Sequence, residues 1–342
     1  MSNATAAAEL NLTLCVSVIE LARIAAARLT VRDAALGFSR LAAPQRTALQ
    51  GQADRWDDVA GGLIELWRAQ PRGGARQLVA MSGSDDELLL FALAVAPHID
   101  RTLGRAYKSL AGVAELTVGV LLDLAAPALE QRLHLVRVLH ADRPLRASGL
   151  LEVDRPGPAM LDDRIAVAAS AVAALRGEPI ASPGSATAER HQLPDDVIDA
   201  LEATVSMPRW VPGKVTIVAG PPAERSAVLT VRAALDRRPI WHVAAPVADA
   251  ASWCRDAALS GVHLEVTSDG LPETMRSIDA LRWSAARTHA AVVFSCDSGR
   301  LAASAGDPLH VLTAAVREAA TPGLSQSVPP GTVRSALETL GF

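Results

Sequence analysis

The stretch VTIVAGPPAERSAVLTVRAAL, Val215 to Leu235, reads as a buried strand, a Gly-Pro-Pro turn and a helix. Its apolar run breaks at Gly220 and resumes with helical periodicity. That is the outline of a phosphate-cradling loop, in which backbone N–H groups and a helix N-terminus face an anion. Set against the spacing G-x-x-x-x-G-K-[ST], Gly220 matches the first glycine, while Arg225, Ser226 and Ala227 replace the second glycine, the lysine and the hydroxyl residue. The lysine would hold the terminal phosphates and the hydroxyl would ligate magnesium, each contact worth roughly 1.5–3 kcal/mol. Losing both weakens nucleotide binding by about two to four orders of magnitude. A loop one residue shorter would instead offer Arg225 and Ser226 as the Lys-Ser pair, with a bulkier guanidinium in place of an ammonium. Two readings stay open for Gly220, Pro221, Pro222, Arg225 and Ser226: a weak nucleotide or phosphate site, or a turn that keeps only the shape of one.

Outward from this turn, the apolar strands VTIVA (215–219), IWHVA (240–244), VHLEV (262–266) and AVVFS (291–295) alternate with helical stretches starting near Ser226, Val247, Pro272 and Pro308. This alternation is how a parallel sheet with crossover helices is written. An α/β domain is therefore expected over 194–342, opened by the helix LPDDVIDALEA. The preceding GEPIASPGSATAERHQLP, rich in Gly, Pro, Ser and Ala, reads as an interdomain linker over 177–193.

Residues 1–176 are mostly helical. One helix is expected from Ala6 to Leu29, with an apolar face of Leu10, Leu14, Ile19, Leu21 and Ile24, and a second helical region from Pro44 to Trp67. In SGSDDELLLFALAVAPHID, Ser84 is followed three residues later by Glu87, a capping box that starts a helix expected to end near Pro97. Shorter helices follow around Arg105–Leu110, Thr117–Ala126 and Pro127–His140. LRASGLLEVDRPGPAML alternates into a hairpin-like strand and turn, and a further helix is expected at Asp162–Leu175. Short helices followed by a β wing suggest a winged-helix module.

Half of the 342 residues are hydrophobic but only 3% are aromatic, so the cores are built from Ala, Val and Leu, which favours helices. The net charge of −4, without a basic block, argues against a dedicated nucleic-acid binder, which needs a clustered cationic face. Cys15, Cys254 and Cys296 lie far apart and read as buried small apolar residues in a reducing compartment, not as metal ligands or disulfide partners. The apolar LNLTLCVSVI follows Glu9 and is closed by Glu20 and Arg23, too short for a membrane span. A cytoplasmic protein with no targeting segment is expected.

The segments LLLFALAVAPHIDRTLGRAYKSL, ELTVGVLLDLAAP, DRPLRASGLLEV and MLDDRI together resemble the winged-helix region of bacterial AAA+ ATPases of the contractile injection system type. In that family the region sits just ahead of the ATPase core, the order found here. The resemblance covers Ser84 to Arg164 in detail and Val215 to about Ser298 more loosely. It implies an α/β P-loop NTPase-like (AAA+) core with a degenerate Walker A. It also implies a Walker B strand at VHLEV, with Glu265 as the metal-directing carboxylate. The next residue, Val266, replaces the glutamate that would orient the attacking water, and Asp269 could substitute only if the strand end bends. Sensor 1 would lie near Ser295 or Asp297, Arg300 and Arg317 are arginine-finger candidates, and the end at Phe342 leaves little room for the helical lid.

Against these roles stand plainer ones. Glu265 reads equally as a strand-end carboxylate bonded to a helix N-terminus or an arginine; in the functional reading it would coordinate magnesium through water. His134 and His140, near Arg132 and Arg137 but flanked by Glu130 and Asp142, read as a solvated face ahead of a recognition helix. Pro97-His98 reads as capping, and Trp210, Trp241, Trp253 and Trp283 as core or interface aromatics. The expected protein is AAA+-like with a degenerate nucleotide site, weak or absent ATP and Mg binding, and no other metal. It would be a non-hydrolysing scaffold or regulatory subunit of a contractile injection system or related assembly, with protein partners or its own copies. The alternatives are a divergent active ATPase using Arg225 and Ser226, and a DNA-binding regulator built on the winged helix.

Overall fold

The computed structural model describes residues 3–38, 40–70, 73–111, 116–126, 128–155, 158, 160–180, 187–189, 210–219, 222–244, 249–268 and 271–296. The chain divides into two units, Met1–Ile180 and Ala181–Phe342.

The first unit is organised on α1 (Asn3–Ala35), a helix about 50 Å long. It runs past the expected end at Leu29 because no breaker intervenes before Gly37, whose φ of +82° turns the chain. Leu14, Val18, Leu21, Ala22 and Ala25 are fully buried at helical spacing and form its inner stripe. The expected helical region from Pro44 to Trp67 is two helices, α2 (Ala43–Ala53) and α3 (Trp56–Arg68). The chain re-enters helix at Trp56 with Asp57 and Asp58 in the first turn, where negative charge suits the N-terminal end of the macrodipole. Trp67 is fully buried and stacks at 5.9 Å on Phe91.

After α4 (Gly74–Ser82), Gly83 takes a φ of +74°, and a Cβ there would lie 2.7 Å from Pro144. The capping box then starts α5 (Asp85–Ile99): the Glu87 N–H donates to Ser84 Oγ at 3.3 Å, and Ser84 Oγ donates to Glu87 Oε2 at 3.0 Å. Pro97 lies inside α5, since the loss of one N–H in the last turn does not end a helix already packed along its length. The capping residue is Asp100, not His98: Asp100 accepts from the Thr102 N–H and hydroxyl at 2.8 and 2.7 Å and opens α6 (Arg101–Ala111).

The next elements are α7 (Val118–Ala125), capped by Thr117, then α8 (Leu129–Val138) and α9 (Pro144–Ala147). Strands β1 (Leu151–Val153) and β2 (Ile165–Val167) pair antiparallel, Thr117 bridges to Arg164, and the Ile165 N–H donates to Leu116 at 2.9 Å. The helix expected at Asp162–Leu175 is therefore shorter: 165–167 are drawn into the wing by pairing on both sides, and α10 spans Ala169–Arg176. Asp163, 3% exposed, accepts from the Met160 N–H at 2.8 Å and pins the wing turn.

In the second unit, β4 (Val215–Ala219), α11 (Pro222–Asp236), β5 (Ile240–Ala244), α12 (Ala250–Ser260), β6 (His263–Ser268), α13 (Leu271–Thr288) and β7 (Val292–Cys296) alternate as the pattern predicts. The sheet order is β3-β5-β6-β7-β4, with β4, β7, β6 and β5 parallel. Every residue of β7 is buried, as a central strand covered on both faces requires. The edge strand β3 (Thr187–Glu189) pairs antiparallel with β5 and lies inside the stretch expected to be linker. The helix expected at LPDDVIDALEA and the one near Pro308 fall outside the described residues.

Candidate functional site

In an open parallel sheet ligands bind outside the carboxyl ends of the strands. Here those ends are in register: Ala219 of β4 faces Cys296 of β7, which faces Ser268 of β6, and Thr267 faces Ala244 of β5. The strand that enters the Gly-Pro-Pro turn is thus a neighbour of β7, with β6 next beyond, although β5 follows it in sequence. Three strand ends that the resemblance links to nucleotide chemistry share one edge. Gly220, Pro221, Asp269, Asp297, Arg300 and Arg317 fall outside the described residues.

Helix α11 begins at Pro222, so Arg225 belongs to its first turn, where it is 8% exposed, while Ser226 is exposed. Proline carries no N–H, so Pro221 and Pro222 remove two donors from the stretch that would cradle an anion.

Glu265 stands elsewhere. Strand β6 continues to Ser268, beyond the expected end at Val266, so Glu265 lies in mid-strand, in register with His242 and Val293. Three residues separate it from the edge, about 10 Å along the strand. It is 4% exposed, and its Oε2 is paired with His242 Nδ1, not with a helix N-terminus or an arginine. Thr267, nearer the edge, donates its hydroxyl to the Val243 carbonyl at 3.2 Å. Ser295 is fully buried one residue from the edge, and its hydroxyl has no hydrogen-bond partner among the described residues.

His263, Glu265 and Thr267 alternate along β6 and so share one face of the sheet, where their register partners are Ile240, His242 and Ala244. At the far end of this polar line, Asp236, the last residue of α11, lies 3.1 Å from His263 Nε2 and accepts from Arg232 Nε at 2.9 Å. Trp210 packs edge-on against His263 at 4.6 Å. Burial alone would raise the Asp236 carboxyl, but the His263 ring and the Arg232 guanidinium beside it bring it down to about 2. Burial pushes His263 below its ordinary value, with Asp236 opposing. Sequence reasoning missed Asp236, His242 and His263. The signal was the period-two polar pattern of His263, Glu265 and Thr267 within a strand otherwise apolar.

In the first unit, α8 is the candidate contact helix. Leu129 and Leu133 are 71% and 56% exposed on successive turns. The cation Arg132 is taken up by Asp123 and by the Ala126 carbonyl, at 3.0 Å from Nε. His134 pairs with Asp86 at 2.9 Å and His140 with Asp142 at 3.4 Å, all four side chains well exposed. Among the tryptophans, Trp210 and Trp241 are buried, Trp253 is half-buried, and Trp283 is 47% exposed beneath the Arg287 guanidinium. Cys15, Cys254 and Cys296 are buried and form no disulfide among the described residues, and burial pushes the Cys254 thiol up to about 12. Among the described residues no helix is long and apolar enough to cross a membrane.

No curated protein and no solved structure matches the chain. A family model does: the one described as "Winged helix domain, variant" matches residues 76–175. These limits enclose α5 to α9 and the β1–β2 wing, cutting into α4 and α10 at either end. The C-terminal part of the first unit, residues 76–175, is a winged helix domain.

Proposed function

We propose that this chain is an AAA+-like protein without hydrolytic activity, a scaffold or regulatory subunit of a contractile injection system or a related assembly, docking on protein through its winged helix domain. The observation that carries the loss of hydrolysis is Glu265: it is about 10 Å short of the strand edge and spent on His242. Metal-assisted phosphoryl transfer needs a carboxylate at the phosphates, and an internally paired mid-strand group does not supply one. The two prolines support the same reading at the turn.

A protein partner is favoured over DNA by α8. Its outer face offers Leu129 and Leu133 beside Glu130, whereas a helix entering a groove presents cations and hydrogen-bonding groups to phosphates and base edges. A second reading, nucleotide binding without turnover through Arg225 and Ser226, draws support from the buried Ser295 hydroxyl near the same edge.

Calorimetric titration with ATP and magnesium, run beside a phosphate-release assay, tests both. No turnover, and either no heat or weak binding unchanged by Glu265→Ala, is expected. Magnesium-dependent turnover abolished by Glu265→Ala overturns the proposal, and binding lost in Arg225→Ala selects the second reading.

A further inference from the structure

Within the winged helix domain a cavity of about 430 Å³ opens between α5, α6, α7 and β2. Its walls are apolar: Ala94 and Pro97 of α5, Val120 of α7, and Ile165 and Val167 of β2. Pockets of this size and character enclose small ligands when a few polar groups fix the orientation. Tyr107 of α6 lines the cavity, is 3% exposed, and its hydroxyl has no hydrogen-bond partner among the described residues. A buried hydroxyl left unpaired works against folding, so such a group is ordinarily satisfied by something.

Gly104, one turn earlier on α6, makes a second and independent observation. Its backbone is not in the left-handed region, and a Cβ would meet Pro97 at an ordinary 3.6 Å. Neither turn geometry nor crowding calls for glycine there, and glycine inside a helix is less favourable than alanine. What its missing side chain does provide is room in the cavity. At the rim stand Lys108, with no ion-pair partner among the described residues, and Arg164, which reaches Asp154 at 3.9 Å. Lys108 and Arg164 against the single carboxylate Asp154 leave the rim with a net positive charge.

We propose that this cavity is a binding site for a small organic anion, an apolar body bearing a carboxylate, seated on the walls of α5, α7 and β2. An acceptor oxygen of the ligand takes the hydrogen bond of the Tyr107 hydroxyl, which is covered in the unliganded chain, and Lys108 faces its charge. Burial raises the Tyr107 phenol well above its ordinary value, so the hydroxyl acts as a donor and does not ionise. The site belongs to the first unit alone and does not depend on the reading of the sheet edge in the second.

The test uses the full chain with naphthalene-2-carboxylate as probe and 2-naphthamide as its uncharged match, both followed by calorimetry. The carboxylate binds, at least about tenfold more tightly than the amide. Tyr107→Phe, which removes one oxygen and keeps the ring, weakens carboxylate binding by about tenfold or more while leaving the melting temperature equal or higher. Gly104→Leu fills the cavity and abolishes binding. No binding of the carboxylate at about 1 mM overturns the proposal, as does carboxylate binding unchanged by Tyr107→Phe. An amide that binds as well as the carboxylate overturns the assignment of an anion.

Discussion

In the first unit one buried carboxylate, Glu87, sits at a helix start and is satisfied by near neighbours and one turn from across the fold. Ser84 Oγ reaches it at 3.0 Å, and the Leu145 N–H, at the head of α9, reaches it at 3.3 Å. In the second unit the half-buried Asp236 and the buried Glu265 meet histidines on strands that are distant in sequence. The first arrangement ties off the end of one element. The second joins a helix and two strands across one face of a sheet, and its failure leaves charge stranded inside. Removing one partner of a buried pair is far more damaging than removing a cap, because an uncompensated buried charge remains.

The largest expected effect follows directly. Asp236→Ala leaves Arg232 and His263, whose side chains are 6% and 2% exposed, without their carboxylate. A loss of about 3–5 kcal/mol is expected, read as a shift of the urea midpoint of the second unit. A loss below about 1 kcal/mol would put this cluster on the same footing as a helix cap and break the contrast.

Next in size is Ser84→Ala. It removes the acceptor for the Glu87 N–H and one donor to the Glu87 carboxylate, with an expected cost of about 1 kcal/mol. Ser84→Gly is expected to cost only about a few tenths of a kcal/mol, since glycine is itself tolerated at the cap. Urea denaturation of both variants checks the figure.

The same contrast explains what could be read from the residues. The capping box and the Thr117 cap were legible, or nearly so, because their partners lie three positions apart. The four parallel strands were legible as apolar runs broken by turn residues. The end of β6 was not, because Thr267 and Ser268 are polar and the run seemed to close at Val266. Strand β2 was hidden inside an expected helix: three residues carry too little period, and what holds them extended is pairing with β1 and Leu116. The partner of Glu265 could not be read at all. Glu265 and His242 are 23 positions apart, and only the parallel register of β5 and β6 brings them side by side.

The smallest effect is the most diagnostic, because Glu87 in the first unit responds to pH with the sign opposite to that of Asp236 and His263 in the second. Asp236 is held at about 2 against an ordinary 3.8, so its stabilisation is present above the unfolded value and is lost as pH falls through the folded one. His263 is pushed below 6.5, and an unfolded chain that takes up its proton first again loses native stability on acidification. Glu87 runs the other way. Burial raises its carboxyl above 4.5, with the Leu145 N–H and Ser84 opposing, so the native state holds the proton longer than the unfolded chain does. Its contribution is then fully present below the unfolded value and declines as pH rises through the folded one. Glu87→Gln keeps the shape and an acceptor oxygen while removing the titration. Relative to the unmodified chain, this variant is expected to gain stability steadily as pH is raised from 4.5, in urea unfolding followed through the first unit. A difference that stays constant with pH would mean Glu87 titrates alike in both states. A difference that shrinks would mean its neighbours outweigh burial, and the two units would then treat their buried carboxylates alike.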